Sequence, residues 1–179
     1  MSSVCRMAPT LTTARLTMTG HRRADLDACA AMWADPRVYA MIGGKPRVRE
    51  EVWLRLLRSV GQWQLFGYGG WVVRETASGR FVGDVGLIEA ERAIVPPLTV
   101  PEVGWAVVPA FHGQGMAREA VEAALDWADR KGPRATCCII HPDNAASIRL
   151  AERVGYRFLR EARYSDAPTL VFERTAPGS

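Results

Sequence analysis

Residues 101–140 constrain the fold more than any other part of the chain. Pro101–Val108 reads as a strand. The glycine-rich run His112-Gly-Gln-Gly-Met-Ala117 follows it. Ala117, Ala120, Val121, Ala124, Leu125 and Ala128 then recur at helical spacing, and Gly132-Pro133 closes the stripe. The apolar run Ala135–Ile140 reads as a second strand. Strand, tight turn, helix, strand is a βαβ unit, and strands joined by a helical crossover pair in parallel. The glycines also carry chemistry. Gly113, Gly115 and Ala117 strip the turn of side chains, so a ligand can approach the backbone. The free N–H groups of the first helical turn and the helix dipole then form an anion site of the kind that suits a pyrophosphate. The lysine of a nucleoside triphosphatase loop is absent. The glycines alone would equally describe a plain tight turn before a helix.

The rest of the chain fits around this unit. Arg15–Thr19 alternates as a strand does, and Asp25 is placed to cap a helix carrying Leu26, Cys29, Ala30 and Trp33, which Asp35-Pro36 ends. Trp53, Leu56, Leu57 and Val60 mark a second helix. Strands at 71–74 and Phe81–Ile88 flank a turn at Ala77-Ser-Gly79 and form an antiparallel hairpin. After the βαβ unit come a short helix over 145–154, an exit at Gly155, and strands at Tyr156–Ala162 and Thr169–Arg174. The fold expected is mixed α/β (α+β): a mostly antiparallel central sheet with one parallel βαβ unit and helices on both faces, as a single domain over 1–179.

Composition narrows the function. The 179 residues are 48% hydrophobic with a net charge of +4, ample for a packed core and too mild for charge-driven nucleic-acid binding. No run approaches the roughly 20 apolar residues of a membrane span, and residues 1–9 lack a signal-peptide core. Cys5, Cys29, Cys137 and Cys138 lack zinc spacing, and His21, His112 and His141 add no paired ligands. No metal is expected. The cysteines read as small buried hydrophobes in a reducing cytoplasm, with Cys137 and Cys138 on opposite faces of a strand.

A second polar constellation, His141-Pro-Asp-Asn-Ala-Ala-Ser147, follows the second strand of the βαβ unit. Asn144 or Asp143 can cap the next helix, with Ser147 one turn in. Ligands of such sheets gather at the carboxyl ends of the strands.

Taken together the two constellations resemble the GNAT superfamily of acyl-CoA-dependent N-acyltransferases. His112-Gly-Gln-Gly-Met-Ala117 is similar to that family's Q/R-x-x-G-x-G/A pyrophosphate loop, with His112 at the first position, and Arg118-Glu119-Ala120 continues it. Leu11–Leu16 resembles the opening strand, Glu102–Val107 the fourth, and Asn144, Ser147 and Val154-Gly-Tyr156 the fourth helix and its exit. The style is closest to the ribosomal-protein N-terminal acetyltransferases.

The resemblance implies acetyl-CoA as cosubstrate and direct transfer to a primary amine in a ternary complex. The pantetheine arm is expected beside Ala106, Val107 and Val108, and a backbone N–H there as oxyanion donor. The pyrophosphate is expected on Gly113, Gln114, Gly115, Met116, Ala117 and Arg118, with Asn144 and Ser147 near the thiol end. Arg118 reads equally as a surface helix charge. Many members place a thiolate-protonating Tyr where this chain has Ala151; in the ribosomal-type branch a Ser at the position of Ser147 serves. Glu102 resembles the strand-four glutamate used as base, with Asp84 and Glu89 as alternatives. Glu102, Gly104 and Ala106 share one face by alternation. The acceptor is expected against the first two helices and the 89–101 loop, near Trp33, Tyr39 and Trp53. A protein N-terminal amine is implied by the branch. A small-molecule amine, and a catalytically silent acyl-CoA sensor, are the alternatives, and a homodimer stays open.

Overall fold

A computed structural model describes residues 7–178; Cys5 lies outside them. The elements are β1 (Leu11–Thr12), β2 (Leu16–Gly20), α1 (Leu26–Ala34), α2 (Pro36–Tyr39), α3 (Arg49–Phe66), β3 (Gly70–Glu75), β4 (Phe81–Ile88), β5 (Ile94–Val95), β6 (Glu102–Val107), α4 (Met116–Lys131), β7 (Ala135–Ile140), α5 (Ala145–Arg153), β8 (Arg157–Tyr164) and β9 (Ala167–Thr175). The strands form one mixed sheet in the order β1-β2-β3-β4-β6-β7-β9-β8-β5. Only β6 and β7 pair in parallel; the other neighbours are antiparallel.

That parallel pair is short. Glu102 is in register with Cys137, and the Cys137 N–H donates to the Pro101 carbonyl at 2.9 Å. Beyond this point the two strands part. β6 remains paired with β4 along its whole length, as β7 does with β9. A gap therefore opens toward the carboxyl ends of β6 and β7. The Val108 N–H donates to Val82 on the β4 side, so by alternation Ala106 also faces β4 with its main chain. Trp105 and Val107 turn theirs to the gap.

Alternation also splits the core into two layers. On one face Val121, Ala124, Leu125 and Ala128 of α4 pack against Val103, Val85 and Cys138. On the other, Cys29, Met32 and Trp33 of α1 and Val52 of α3 meet Ala106. Cys137 and Cys138 fall into different clusters, as their adjacency in a strand requires. Trp63, Trp71 and Trp127 meet edge to face, with centroids 4.9, 5.1 and 5.4 Å apart.

Two local readings are corrected. The stripe of α3 is rotated: Val52, Leu56 and Trp63 are buried, whereas Leu57 and Val60 are exposed. Asp25 does not cap α1 with its side chain. It accepts from the Arg22 N–H at 2.7 Å and pairs with Arg74 at 2.7 Å. Two-residue β1 and β5 and four-residue α2 carry no periodicity that a sequence window could register. Asp35 both ends α1 and caps α2 through the Arg37 N–H at 2.9 Å.

Trp71 is fully buried, and its indole N–H donates to the Pro9 carbonyl at 2.8 Å. Trp71→Ala empties the centre of the aromatic cluster and leaves that carbonyl unpaired. Stability in urea should fall by about 3–5 kcal/mol, the usual range for deleting a buried large aromatic.

Candidate active site

The site is a trough in the sheet. Gly70, Gly86 and Gly104 lie in register across β3, β4 and β6, and this row has no side chains. A Cβ at Gly86 would stand 2.3 Å from the Gly70 Cα, so only glycine permits the approach. Asp84 and Ala106 flank the row on one side, Ile88 and Glu102 on the other. Trp33 of α1 and Arg55, Leu56, Ser59 and Gln62 of α3 form the opposite wall, and the cavity of about 550 Å³ continues to Asn144 and Ser147.

Glu102 lies in this cavity but is fully engaged. It is 5% exposed. Arg92 Nη2 donates to Oε1 at 2.9 Å and Arg92 Nε donates to Oε2. Arg92 also donates to the Tyr164 hydroxyl at 3.0 Å. Asp84 is less encumbered. Oδ1 lies 3.1 Å from His21 Nε2 and accepts weakly from Cys29 Sγ at 3.9 Å. Oδ2 has no hydrogen bond among the described residues. Burial pulls the His21 pKa down, but the charge and hydrogen bond of Asp84, with the charge of Asp25, outweigh it and hold it above 6.5. Glu89 accepts from the Tyr68 hydroxyl, and its carbonyl takes Gln62 Nε2 at 2.8 Å.

The ligand atoms of His21, Cys29 and Asp84 lie within 4.8 Å of one another, close enough to share a divalent ion. Burial pushes the Cys29 thiol up, which disfavours the thiolate such a site needs. Cys137 and Cys138 are free and buried, and burial raises the Cys137 thiol to about 12. None of the three is an activated nucleophile.

At the end of β6 the chain makes the glycine turn. Gly113 and Gly115 have φ of 72° and 76°, the left-handed region that glycine enters without cost. Gly115 is the N-cap of α4 and no side chain caps it. The first helical bond runs from the Glu119 N–H to the Gly115 carbonyl at 3.0 Å, so the N–H groups of Met116, Ala117 and Arg118 have no acceptor within the helix. A Cβ at Gly113 would meet nothing within 4 Å. This is an open cradle of donors that fits a pyrophosphate. His112 Nε2 lies 2.7 Å from the Val107 carbonyl, and Gln114 Nε2 donates to the Ala110 carbonyl at 2.8 Å. Arg118 reaches Glu122 at 2.7 Å on an exposed face.

A second cation beside this turn was not read from the sequence. Arg15 Nη2 lies 3.5 Å from where a Gly115 Cβ would be, and Arg15 Nη1 donates to the Gln114 carbonyl at 2.9 Å. Glu119 holds it, accepting from Arg15 Nε at 2.7 Å, the Arg15 N–H at 2.9 Å and the Thr13 hydroxyl at 2.6 Å. Nothing in the local pattern of Arg15 separates it from the chain's other arginines.

Past β7, Asn144 caps α5, its Oδ1 accepting from the Ser147 N–H at 3.1 Å. The Ser147 hydroxyl makes no hydrogen bond among the described residues. Ala151 is fully buried. Trp33 lines the cavity; Tyr39 and Trp53 do not.

The glycine turn, the parted strands and the capped α5 coincide with a known domain. Residues 15–157 match the family model for the acetyltransferase (GNAT) domain. The chain belongs to the GNAT acetyltransferase family. A Bordetella pertussis protein ascribed to the GNAT family is 31% identical with a TM-score of 0.82, covering 93% of this chain and 99% of that one. An uncharacterised Bacillus subtilis protein, YkkB, is 30% identical over 110 residues, which span 61% of this chain and 62% of that protein's length. RimL, a ribosomal α-N-protein acetyltransferase solved with coenzyme A, superposes with a TM-score of 0.77 over 96% of this chain and 100% of that one. At 14% identity that last likeness is one of fold. Membership of the GNAT family implies acetyl-CoA binding. No helix among the described residues is long and apolar enough to cross a membrane.

The His21–Asp84 pair gives the fold a pH signature. A histidine whose pKa is raised on folding contributes stability that is complete below its unfolded value and lost as pH rises through the folded one. Unfolding free energy of the native chain should exceed that of Asp84→Asn below pH 6.5, and the difference should shrink as pH rises above it. Urea titrations across that interval measure both.

Proposed function

We propose that the chain is an acetyl-CoA-dependent N-acetyltransferase acting on a primary amine by direct transfer. The observation that carries this reading is the side-chain-free trough of Gly70, Gly86 and Gly104, which runs into the gap between β6 and β7. An amine lying in the trough meets whatever lies in the gap. When bound, acetyl-CoA supplies the thioester that the amine attacks.

The chain's own groups have separable tasks. The uncapped N–H groups of Met116, Ala117 and Arg118 hold the pyrophosphate, with Arg15 beside them. The main chains of Trp105 and Val107 face the gap, where pantetheine amides extend the sheet edge; the Val107 carbonyl is already satisfied by His112. A Trp105 or Val107 N–H donates to the oxyanion. The Ser147 hydroxyl, otherwise unengaged, donates to the departing thiolate. Asn144 positions that serine through its cap.

The proton of the attacking amine goes to Asp84, directly or through one water. Glu102 has the right face, but Arg92 donates to both of its oxygens, which leaves each with one open acceptor site. Asp84 Oδ2 is free on the same face. Proton transfer becomes favourable as the carbon–nitrogen bond forms and the amine turns acidic. An acceptor amine on a protein N-terminus, as in RimL, and one on a small molecule use this machinery alike.

Acetyl-CoA-dependent thiol release with a mixed amine panel tests the activity. Binding of acetyl-CoA without release for any amine would leave only the silent sensor. For the base, Asp84→Asn should lower kcat/KM by roughly 10²–10⁴-fold, with the loss shrinking as pH rises. Glu102→Gln should keep the shape of the pH profile. The reverse pattern would restore Glu102 as the base. Ser147→Ala should lower kcat more than it changes acetyl-CoA affinity.

A further inference from the structure

The cavity wall opposite the glycine trough is crowded with cations. Arg47, Arg55, Arg58 and Arg92 line it, with Lys45 at its rim, against two carboxylates, Asp84 and Glu102. Glu102 is held by Arg92 through both oxygens, and Asp84 by His21 through one. Among the described residues Arg47, Arg55 and Arg58 have no ion-pair partner. Arg47 and Arg55 instead pack on one neighbour, with guanidinium carbons 5.7 and 4.3 Å from the Trp33 ring centroid. Arg47 Nε is buried without a hydrogen bond among the described residues.

Such an arrangement costs stability. Burial drives Arg55 down to about 10, and Arg58 and Arg47 add to the effect; burial and the nearby Arg92 lower Arg58 as well. Like charges held together out of water raise the free energy of the folded chain unless an anion joins them. Asp84 and Glu102 offset part of this at Arg55 and Arg58, but neither forms an ion pair with them. Surface arginines would reach solvent, whereas these converge on the cavity that holds the trough. A guanidinium fork is built for an oxyanion, either carboxylate or phosphate. Trp33 fixes two of the forks, which spares the entropy of ordering them on binding.

We infer that the amine acceptor carries its own oxyanion, a carboxylate or phosphate in the same molecule, which Arg47, Arg55 and Arg58 bind while the amine lies over the glycine row. This rests on the acetyltransferase reading above and names the substrate class within it. The acceptor arrives with the charge that the cavity lacks. Neutral amines forgo that contact, and polyamines meet repulsion.

The test uses matched acceptor pairs in a thiol-release assay with acetyl-CoA. These are alanine against alaninamide, phosphoethanolamine against ethanolamine, and a C-terminally amidated Ala-Asp-Ala peptide against Ala-Asn-Ala. The first two pairs report a small-molecule source of the oxyanion and the third a peptide source. In at least one pair the anionic member should have a kcat/KM ten or more times higher. Arg58→Gln should erase most of that preference, raising KM for the anionic member more than for the neutral one. Arg47→Gln provides the same readout from a second position. Because Arg58 has no partner to lose, Arg58→Gln should melt at or above the native temperature, and equilibrium binding of the acetylated anionic product to it should weaken at least tenfold. Equal turnover of both members of every pair, or a preference untouched by both substitutions, overturns the inference and leaves the acetyltransferase reading standing. Thiol release with no amine at all overturns both.

Discussion

The single parallel contact between β6 and β7 is the constraint on which the site depends. Glu102 and Cys137 hold the strands together at one level, and past that level each strand follows a different partner. β6 is locked to β4, and β7 to β9. The strands must separate, because both halves of the sheet twist while only one rung spans the seam. The separation leaves main-chain groups of Trp105 and Val107 facing a gap within a sheet otherwise closed, and unpaired strand edges are where extended polar ligands add. It also sets the two helix starts that follow, those of α4 and α5, on either side of the same opening.

Arg15 and Glu119 show how the glycine turn is kept open without a cap of its own. An N-cap side chain at Gly115 would satisfy α4 but would also fill the cradle. The chain instead borrows rigidity from the sheet edge. Thr13 and Arg15, in the corner between β1 and β2, fasten Glu119 in the first turn of α4. Burial alone would push the Glu119 carboxyl up, but these donors hold it below the usual carboxylate range. The acid offsets Arg15, and the cation stays beside the turn, where it favours a phosphate. Two residues far apart in sequence therefore do for the loop what a local cap cannot.

The sequence carried those parts of the site that rest on local rules. The βαβ unit was legible because a helical stripe and a wholly apolar strand have unmistakable periods. Gly113, Gly115, Asn144 and Ser147 were legible because left-handed turns and helix caps restrict residue type. The face shared by Glu102, Gly104 and Ala106 followed from alternation alone. What escaped is what depends on register between strands. Gly70 and Gly86 become a trough floor only when β3, β4 and β6 are aligned, and no local spacing encodes that alignment. The engagement of Glu102 by Arg92 depends on how an irregular segment folds back ten residues before the strand. The rotation of α3 was missed because the helix is apolar on more than one side: Leu54, Leu57 and Leu65 are exposed while Val52, Leu56 and Trp63 pack inward. A stripe that wide does not choose its own core face.

Charge placement ties these findings together. The net charge of +4 is mild for 179 residues, and taken over the whole chain it gives little support to an anionic partner. Its distribution argues otherwise. Several arginines outside the cavity are matched: Arg15 with Glu119, Arg74 with Asp25 and Arg174 with Asp129, each within 2.7 Å. Arg47, Arg55 and Arg58 share one cavity and have no ion pair among the described residues. One further carboxylate on the trough wall could have paired Arg55 and Arg58 in the same way. The row opposite them consists instead of glycines, which contribute no charge and occupy no space. Absence of side chains on one wall and excess of guanidinium on the other are complementary demands on a ligand: it must be small where it crosses the sheet and anionic where it meets α3. On the acetyltransferase reading the bare trough answers the first demand by admitting an amine, and an oxyanion on the proposed acceptor would answer the second.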